Sequence, residues 1–125
     1  MIIKKFLYKT VNSTNDVAIN LIKKKNVKLG LVISENQKRG RGQRGKKWIS
    51  YKGNFFVSIF FSLEKSNLSI KKLTKINVNL IVKLISIYWK KKIKLKYPND
   101  VLINKKKICG ILQEIVQKNG IKYLI

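Results

Sequence analysis

All three arginines of the chain, Arg39, Arg41 and Arg44, fall in one glycine-rich stretch, Lys38-Arg39-Gly40-Arg41-Gly42-Gln43-Arg44-Gly45-Lys46-Lys47-Trp48, and every other basic residue is a lysine. A guanidinium is a rigid fork of donors that grips carboxylate or phosphate bidentately, which an ammonium cannot do. Glycines beside it let the backbone approach a ligand, and their amides can form an anion-binding concavity. Trp48 ends the stretch and offers an indole on which a base could stack. The chemistry suggested is the gripping of an anion, either a nucleotide or an RNA backbone. The segment lies between apolar strands and does not repeat, so it reads as a loop of a folded domain rather than an Arg-Gly tail.

A second constellation runs Lys96-Tyr97-Pro98-Asn99-Asp100-Val101-Leu102-Ile103 and then Lys105-Lys106-Lys107-Ile108-Cys109-Gly110-Ile111-Leu112-Gln113-Glu114. A Pro-Asn-Asp turn would end one strand and open a hairpin. Lys107, at the start of the return strand, can reach a carboxylate or phosphate as a point charge. Gly110 would let a ligand lie against the strand. A solvated surface turn is the alternative reading of the same residues. A third group, Ser13-Thr14-Asn15, sets small hydrogen-bonding side chains at a helix start, where capping alone would also explain them.

These groups need elements to hold them. Ile2–Lys9 reads as a strand. Ser13 or Thr14 caps a helix over about Asp16–Lys25, with Asp16 suited to its first turn. Lys28–Ser34 and Phe55–Leu63 read as apolar strands flanking the arginine loop. Ser69 caps a long helix to about Trp89, whose apolar positions Ile70, Leu73, Ile76, Leu80, Leu84 and Ile87 keep helical spacing. The last third is β: a lead-in over Lys94–Tyr97, a hairpin of Val101–Ile103 with Ile108–Val116 across Asn104–Lys107, and a tight turn at Asn119-Gly120 into Ile121–Ile125. The class is α+β in a single domain over residues 1–125, with no internal repeat.

Composition removes several chemistries. The 125 residues include one Cys and no His, which excludes an internal disulfide, the common zinc sites, and Ser-His or Cys-His nucleophilic mechanisms. The formal net charge of +24 invites a nucleic-acid reading, but the lysines run from Lys4 to Lys122 as a general bias and define no specific nucleic-acid site. No apolar stretch approaches the roughly 18 residues of a membrane span, and the N-terminus carries no targeting signal. A cytoplasmic location is the default.

Taken in order, the three groups resemble the catalytic domain of biotin–protein ligase, the biotin–[acetyl-CoA-carboxylase] ligase. That family's pattern is Ser-Thr-Asn, a Gln shortly before Gly-Arg-Gly-Arg-x-Gly-Arg-x-Trp, then Lys-Trp-Pro-Asn-Asp and Lys-x-x-Gly-Ile-Leu-x-Glu. The match runs from about Val11 to Glu114. The resemblance implies a mixed, mainly antiparallel sheet packed against helices, of the class II synthetase-like type. It implies biotin and ATP as substrates with Mg2+, biotinyl-5′-AMP as intermediate, and the biotin carboxyl carrier protein of acetyl-CoA carboxylase as acceptor.

By position, the resemblance places Ser13, Thr14, Asn15, Gln37, Gly40, Arg41, Gly42, Gln43, Lys107 and Gly110 around biotin. It places Arg41, Arg44, Lys46, Trp48, Asn99 and Lys107 around ATP, with Lys107 and Arg41 as the catalytic pair and Asp100 as a metal ligand. Cys109 fills a small-residue position and reads as packing. Gln43 stands where the family has its second loop arginine, which implies weaker retention of the adenylate and leakage of biotin to bystander lysines. Lys46 and Tyr97 replace an Arg and a Trp. The family's Gly-x-Gly-Ile-Asn segment, its following helices and its small β-barrel domain lie beyond the strand matching Ile121–Ile125. A domain lacking that C-terminal part, and lacking an N-terminal DNA-binding domain, is therefore expected. A homodimer through an edge strand is a further implication. The alternatives are a basic RNA- or ribosome-binding module and an inactive ligase remnant.

Overall fold

The structure, a computed structural model, describes residues 2–125. The chain divides into two units: Met1–Ser66 with Glu114–Ile125, and Asn67–Gln113.

The first unit is a five-stranded sheet with one helix. Strand β1 (Lys4–Val11) leads to helix α1 (Thr14–Lys25), then β2 (Leu29–Gln37) and β3 (Phe56–Ser62). Strands β7 (Ile115–Lys118) and β8 (Ile121–Leu124) complete it in the order β1-β2-β3-β8-β7. Only β1 and β2 are parallel; the other pairs are antiparallel. The sheet is therefore mixed and mainly antiparallel, as expected.

Burial alternates along β2 and β3, so one face of each strand enters the core. Val32 and Phe60 pack there with Ala18, Leu21 and Ile22 of α1 and with Val116, Tyr123 and Ile125. Gly30 pairs with Phe60 across the ladder, and a Cβ at Gly30 would stand 2.5 Å from the Phe60 ring. Only a glycine leaves that ring its place. Helix α1 opens on Ser13, whose side chain accepts from the Asp16 amide, and ends on Asn26 in the left-handed region at φ 55°. Lys118 then reaches back from β7. Its ammonium donates to the Ile22 and Lys23 carbonyls at 3.1 and 2.5 Å and to the Asn26 side chain. The cation thus caps the negative end of α1.

The second unit holds helix α2 (Ile70–Tyr88), capped by Ser69, and a three-stranded antiparallel sheet in the order β4 (Lys94–Lys96), β5 (Asp100–Ile103) and β6 (Lys106–Gly110). The β5–β6 turn is tighter than expected. Asn104 and Lys105 both take positive φ, so two residues reverse the chain and Lys106 and Lys107 already belong to the return strand.

Two boundaries move with consequences for the site. β1 and β2 run on to Val11 and Gln37, which pair with each other, so Gln37 stands beside the approach to Ser13. The strand expected over Ile108–Val116 is instead two strands in two sheets. Ile111 leaves β6 by exchanging bonds with Asn99, while Glu114 exchanges backbone bonds with Ile125 to start the β7–β8 ladder. Apolar residues on both sides of Gln113-Glu114 hid this change of partner.

Candidate active site

Ser13, Thr14, Asn15, Ser34 and Ser58 are the buried polar residues among those described. Burying such groups costs free energy unless each is hydrogen-bonded. Ser34 turns to the Asn36 carbonyl at 2.8 Å. The other four lie where α1 begins, and three of them share one network. The Thr14 amide donates to Gln37 Oε1 at 2.8 Å, and Thr14 Oγ1 lies 3.1 Å from the same oxygen. Ser58 Oγ lies 2.8 Å from Thr14 Oγ1 and bonds Asn15 Oδ1. Because Asn15 Oδ1 can only accept, the Ser58 proton points there. Asn15 Nδ2 donates to Glu114 Oε2 at 2.7 Å.

The arginine segment is a short ribbon rather than an open coil. Arg41 and Lys47 form an antiparallel bridge. Trp48 donates its amide to the Gly40 carbonyl at 2.8 Å, and Gly42 donates to Lys46 at 2.7 Å. Gln43–Gly45 make a 3-10 turn at the tip, with Arg44 at φ 55° and Gly45 at φ 72°. Gln43, Arg44 and Lys46 are exposed there, while Trp48 is half-buried. At the root, a Cβ on Gly40 would lie 2.8 Å from both Ser50 Oγ and the Trp48 carbonyl, and 3.1 Å from Gln37 Nε2. Glycine at that point lets the ribbon close on Gln37.

Arg41 turns its fork inward onto carboxylates. Nη1 and Nη2 donate to the two Glu114 oxygens at 2.6 and 2.8 Å, and Nε donates to Asp16 Oδ1 at 3.0 Å. Burial pushes the Glu114 carboxyl up, but hydrogen bonds from Arg41 and Asn15 and the Arg41 charge outweigh it and hold the group below its ordinary value. The Glu114 hydrogen bond is the main reason the Arg41 guanidinium is held more firmly protonated than usual, although burial opposes it.

In the second unit, Lys107 Nζ pairs with Asp100 Oδ1 at 2.8 Å across the β5–β6 hairpin. Gly110 lies opposite Asp100 in register. The Asn99 side chain donates to the Ile111 carbonyl at 2.9 Å and holds the end of the hairpin. Burial pushes the Cys109 thiol up, with Asp100 adding to this and Lys107 opposing it, so the group stays a neutral thiol. Among the described residues, no cluster of three or more His, Cys, Asp or Glu side chains is placed to hold a metal ion.

The first unit thus gathers Ser13, Thr14, Asn15, Gln37, Gly40, Arg41 and Gly42. The second gathers Asn99, Asp100, Lys107 and Gly110. Three residues of the network lie outside those that the sequence points to as site residues. Glu114 closes a quoted motif and is one of only five acids in the chain. Asp16 was assigned only to the helix dipole. Ser58 is a serine in the inward phase of a mainly apolar strand, and that phase is its available signal.

A model of the biotin/lipoate A/B protein ligase family matches residues 7–125, and the chain belongs to that family. The chain is 31% identical over 112 residues to the bifunctional ligase/repressor BirA of Escherichia coli (strain K12), covering 88% of this chain and 34% of that protein. It is 29% identical over 85 residues to the biotin–[acetyl-CoA-carboxylase] ligase of Paracoccus denitrificans, covering 66% of this chain and 35% of that protein. It therefore spans about a third of the length of these curated relatives.

Two solved structures share the fold. The biotin protein ligase from Aquifex aeolicus in complex with biotin and ATP aligns with a TM-score of 0.79 at 24% identity, over 97% of this chain and 50% of that one. The biotin acetyl coenzyme A carboxylase synthetase from Helicobacter pylori with bound biotinylated ATP aligns with a TM-score of 0.76 at 21% identity, over 98% and 59%. These matches do not favour an RNA- or ribosome-binding module.

Proposed function

We propose that this chain carries the biotin-activating chemistry of a biotin–protein ligase. The observation that carries the reading is the buried Thr14–Gln37–Ser58–Asn15 network, closed by a glycine-rooted ribbon. Amide and hydroxyl groups of this kind suit the ureido ring of biotin, offering both donors and acceptors. Among the relatives, the Aquifex enzyme is described in complex with biotin and ATP.

In the first step, a biotin carboxylate oxygen attacks the α-phosphorus of ATP. The bond to the bridging oxygen breaks, giving biotinyl-5′-AMP and pyrophosphate. In the second, a carrier lysine amine attacks the activated carbonyl, an amide forms, and AMP leaves. Both steps need charge neutralised and groups held in line rather than a histidine nucleophile. Lys107 would stand between the biotin carboxylate and the α-phosphate, exchanging Asp100 for these anions. Ser13, Thr14, Asn15 and Gln37 would hold the ring, and Gly110 would leave it room. Gly40, Arg41, Gly42 and Gln43 would cover it. Arg44, Lys46, Trp48 and Asn99 would lie toward the nucleotide.

A Mg2+ would arrive on the ATP phosphates, since oxygen ligands from phosphate and water usually dominate its shell. Asp100, paired with Lys107, would be at most one added ligand. The acceptor in this reading is the biotin carboxyl carrier protein of acetyl-CoA carboxylase, and the setting is cytoplasmic. No helix among the described residues is long and apolar enough to cross a membrane. A homodimer would form along β1, which ends one side of the sheet.

The test is transfer of biotin from biotin and Mg-ATP to a carrier domain, followed by mass. The wild-type chain is expected to label it and Lys107→Ala to fail. Absence of biotin binding and of adenylate in the wild type would leave only an inactive remnant.

A further inference from the structure

Arg41 presents five N–H groups, and its three nitrogens all face carboxylates. Nη1 and Nη2 donate to Glu114, and Nε donates to Asp16, whose Oδ1 also lies 2.8 Å from Nη2. One cation and two anions leave this cluster with a formal charge of −1. A phosphate entering here would have to displace a bidentate carboxylate from Arg41. The same Glu114 Oε2 that accepts from Arg41 also accepts from Asn15 Nδ2, while Asn15 Oδ1 bonds the Ser58 hydroxyl. A flipped Asn15 amide would turn its oxygen toward the Glu114 carboxylate, so Glu114 dictates which end of Asn15 faces Ser58.

We propose that Glu114 is a positioning residue that fastens the Arg41 ribbon to Asn15, and that Arg41 acts through this carboxylate rather than as a ligand of the nucleotide. The proposal rests on the reading of the Thr14–Gln37–Asn15 network as the biotin site. It assigns Arg41 and Glu114 a single shared task, shaping that site before any substrate enters. Glu114 immediately precedes β7, and its backbone exchanges two bonds with Ile125, so the fastening point is itself fixed to the sheet. Asp16 contributes the smaller part, since its side chain is half exposed.

The experiment compares the full chain with Glu114→Gln, Arg41→Lys, Arg41→Ala, Glu114→Ala and the Arg41→Ala/Glu114→Ala double variant. The first measurement is amide hydrogen exchange across residues 40–48 in the ligand-free chain, with β2 and β3 as the check that the fold is retained. The second is calorimetric titration with biotin and, separately, with Mg-ATP. Glu114→Gln is expected to speed exchange in the ribbon at least tenfold while β2 and β3 hold. It is expected to weaken biotin at least tenfold and change ATP affinity less than threefold. Arg41→Lys, which leaves β7 untouched, is expected to do the same, so the reading survives if Glu114→Gln fails to fold. The double variant should be no worse than the worse single one.

Three results would overturn the proposal: multiplying effects in the double variant, an unchanged ribbon in Glu114→Gln, or a larger loss for ATP than for biotin in Arg41→Lys. If the wild-type chain binds no biotin, the functional reading fails, while ribbon exchange in the single and double variants still decides the role of Glu114.

Discussion

The two units solve the problem of holding a site in opposite ways. In the first, Phe60, Val32 and Ile22 are all but fully buried around one helix, and the polar network sits against that packing. In the second, the 19-residue α2 has only Leu73 and Val78 as buried residues, and Leu80, Leu84, Ile87 and Tyr88 are exposed. The buried network can afford fixed geometry because every group in it has a partner. The hairpin carrying Lys107 has one fully buried apolar residue, Val101, and a charge pair. In the proposed function, recognition therefore rests on the packed unit and the reacting charge on the lightly packed hairpin.

The comparison breaks first at Phe60. Phe60→Ala removes the largest fully buried side chain and is expected to cost about 3–5 kcal/mol, read as loss of the cooperative melt. Lys107→Ala should leave the melting temperature within about 3 °C, a shift below about 1 kcal/mol. It should lower the rate of adenylate formation about 10²–10³-fold, the scale for losing one charge-stabilising group, measured by pyrophosphate exchange. Gly40→Ala forces a methyl against Ser50 and the Trp48 carbonyl, and overpacking of this kind costs roughly 1–3 kcal/mol. Biotin affinity should fall further than stability, because the Ser50 hydroxyl that must give way accepts from Gln37, which the methyl also crowds.

Acid sharpens the comparison inside the first unit. The Glu114 carboxyl is held below its unfolded value, so its contribution to stability is fully present above about pH 4.3 and is lost as pH falls through the folded value. A pH series of melts should therefore show that component in the wild type and not in Glu114→Gln. The smallest effects belong to exposed positions. Leu84→Lys should move stability by no more than about 0.5 kcal/mol. Gln43→Arg, at the ribbon tip, should leave stability unchanged and reduce labelling of bystander proteins; equal labelling would remove the idea that Gln43 loosens the cover.

The sequence disclosed what is decided locally. Ser13 and Ser69 cap their helices, and Asn119-Gly120 reverses β7 into β8 with both residues at positive φ, because capping and turn chemistry act over a few residues. It misread what is decided at a distance. The pairing of Arg41 with Glu114 could not be read from the loop, because the carboxylate lies 73 positions away in sequence. The run Ile108–Val116 looked like one strand because periodicity reports which residues are apolar and not which sheet receives them. Ser58 escaped notice because a serine in an aromatic strand carries no signal until the strand's inward phase is fixed.

The order β3-β8-β7 has a temporal meaning. β8 pairs directly with β3, though some sixty residues, including the whole of the second unit, are made between them. During synthesis the first unit therefore stays open on its β3 side, with Phe60 uncovered by Tyr123 and Arg41 without Glu114, until the second unit has already emerged. Non-local closure of this kind is slow and leaves apolar surface waiting. The Arg41–Glu114 pair consequently forms only after the second unit has been made, and a nascent chain halted before residue 114 could close the Thr14–Gln37–Ser58 bonds but would leave Arg41 and Asn15 without their shared carboxylate.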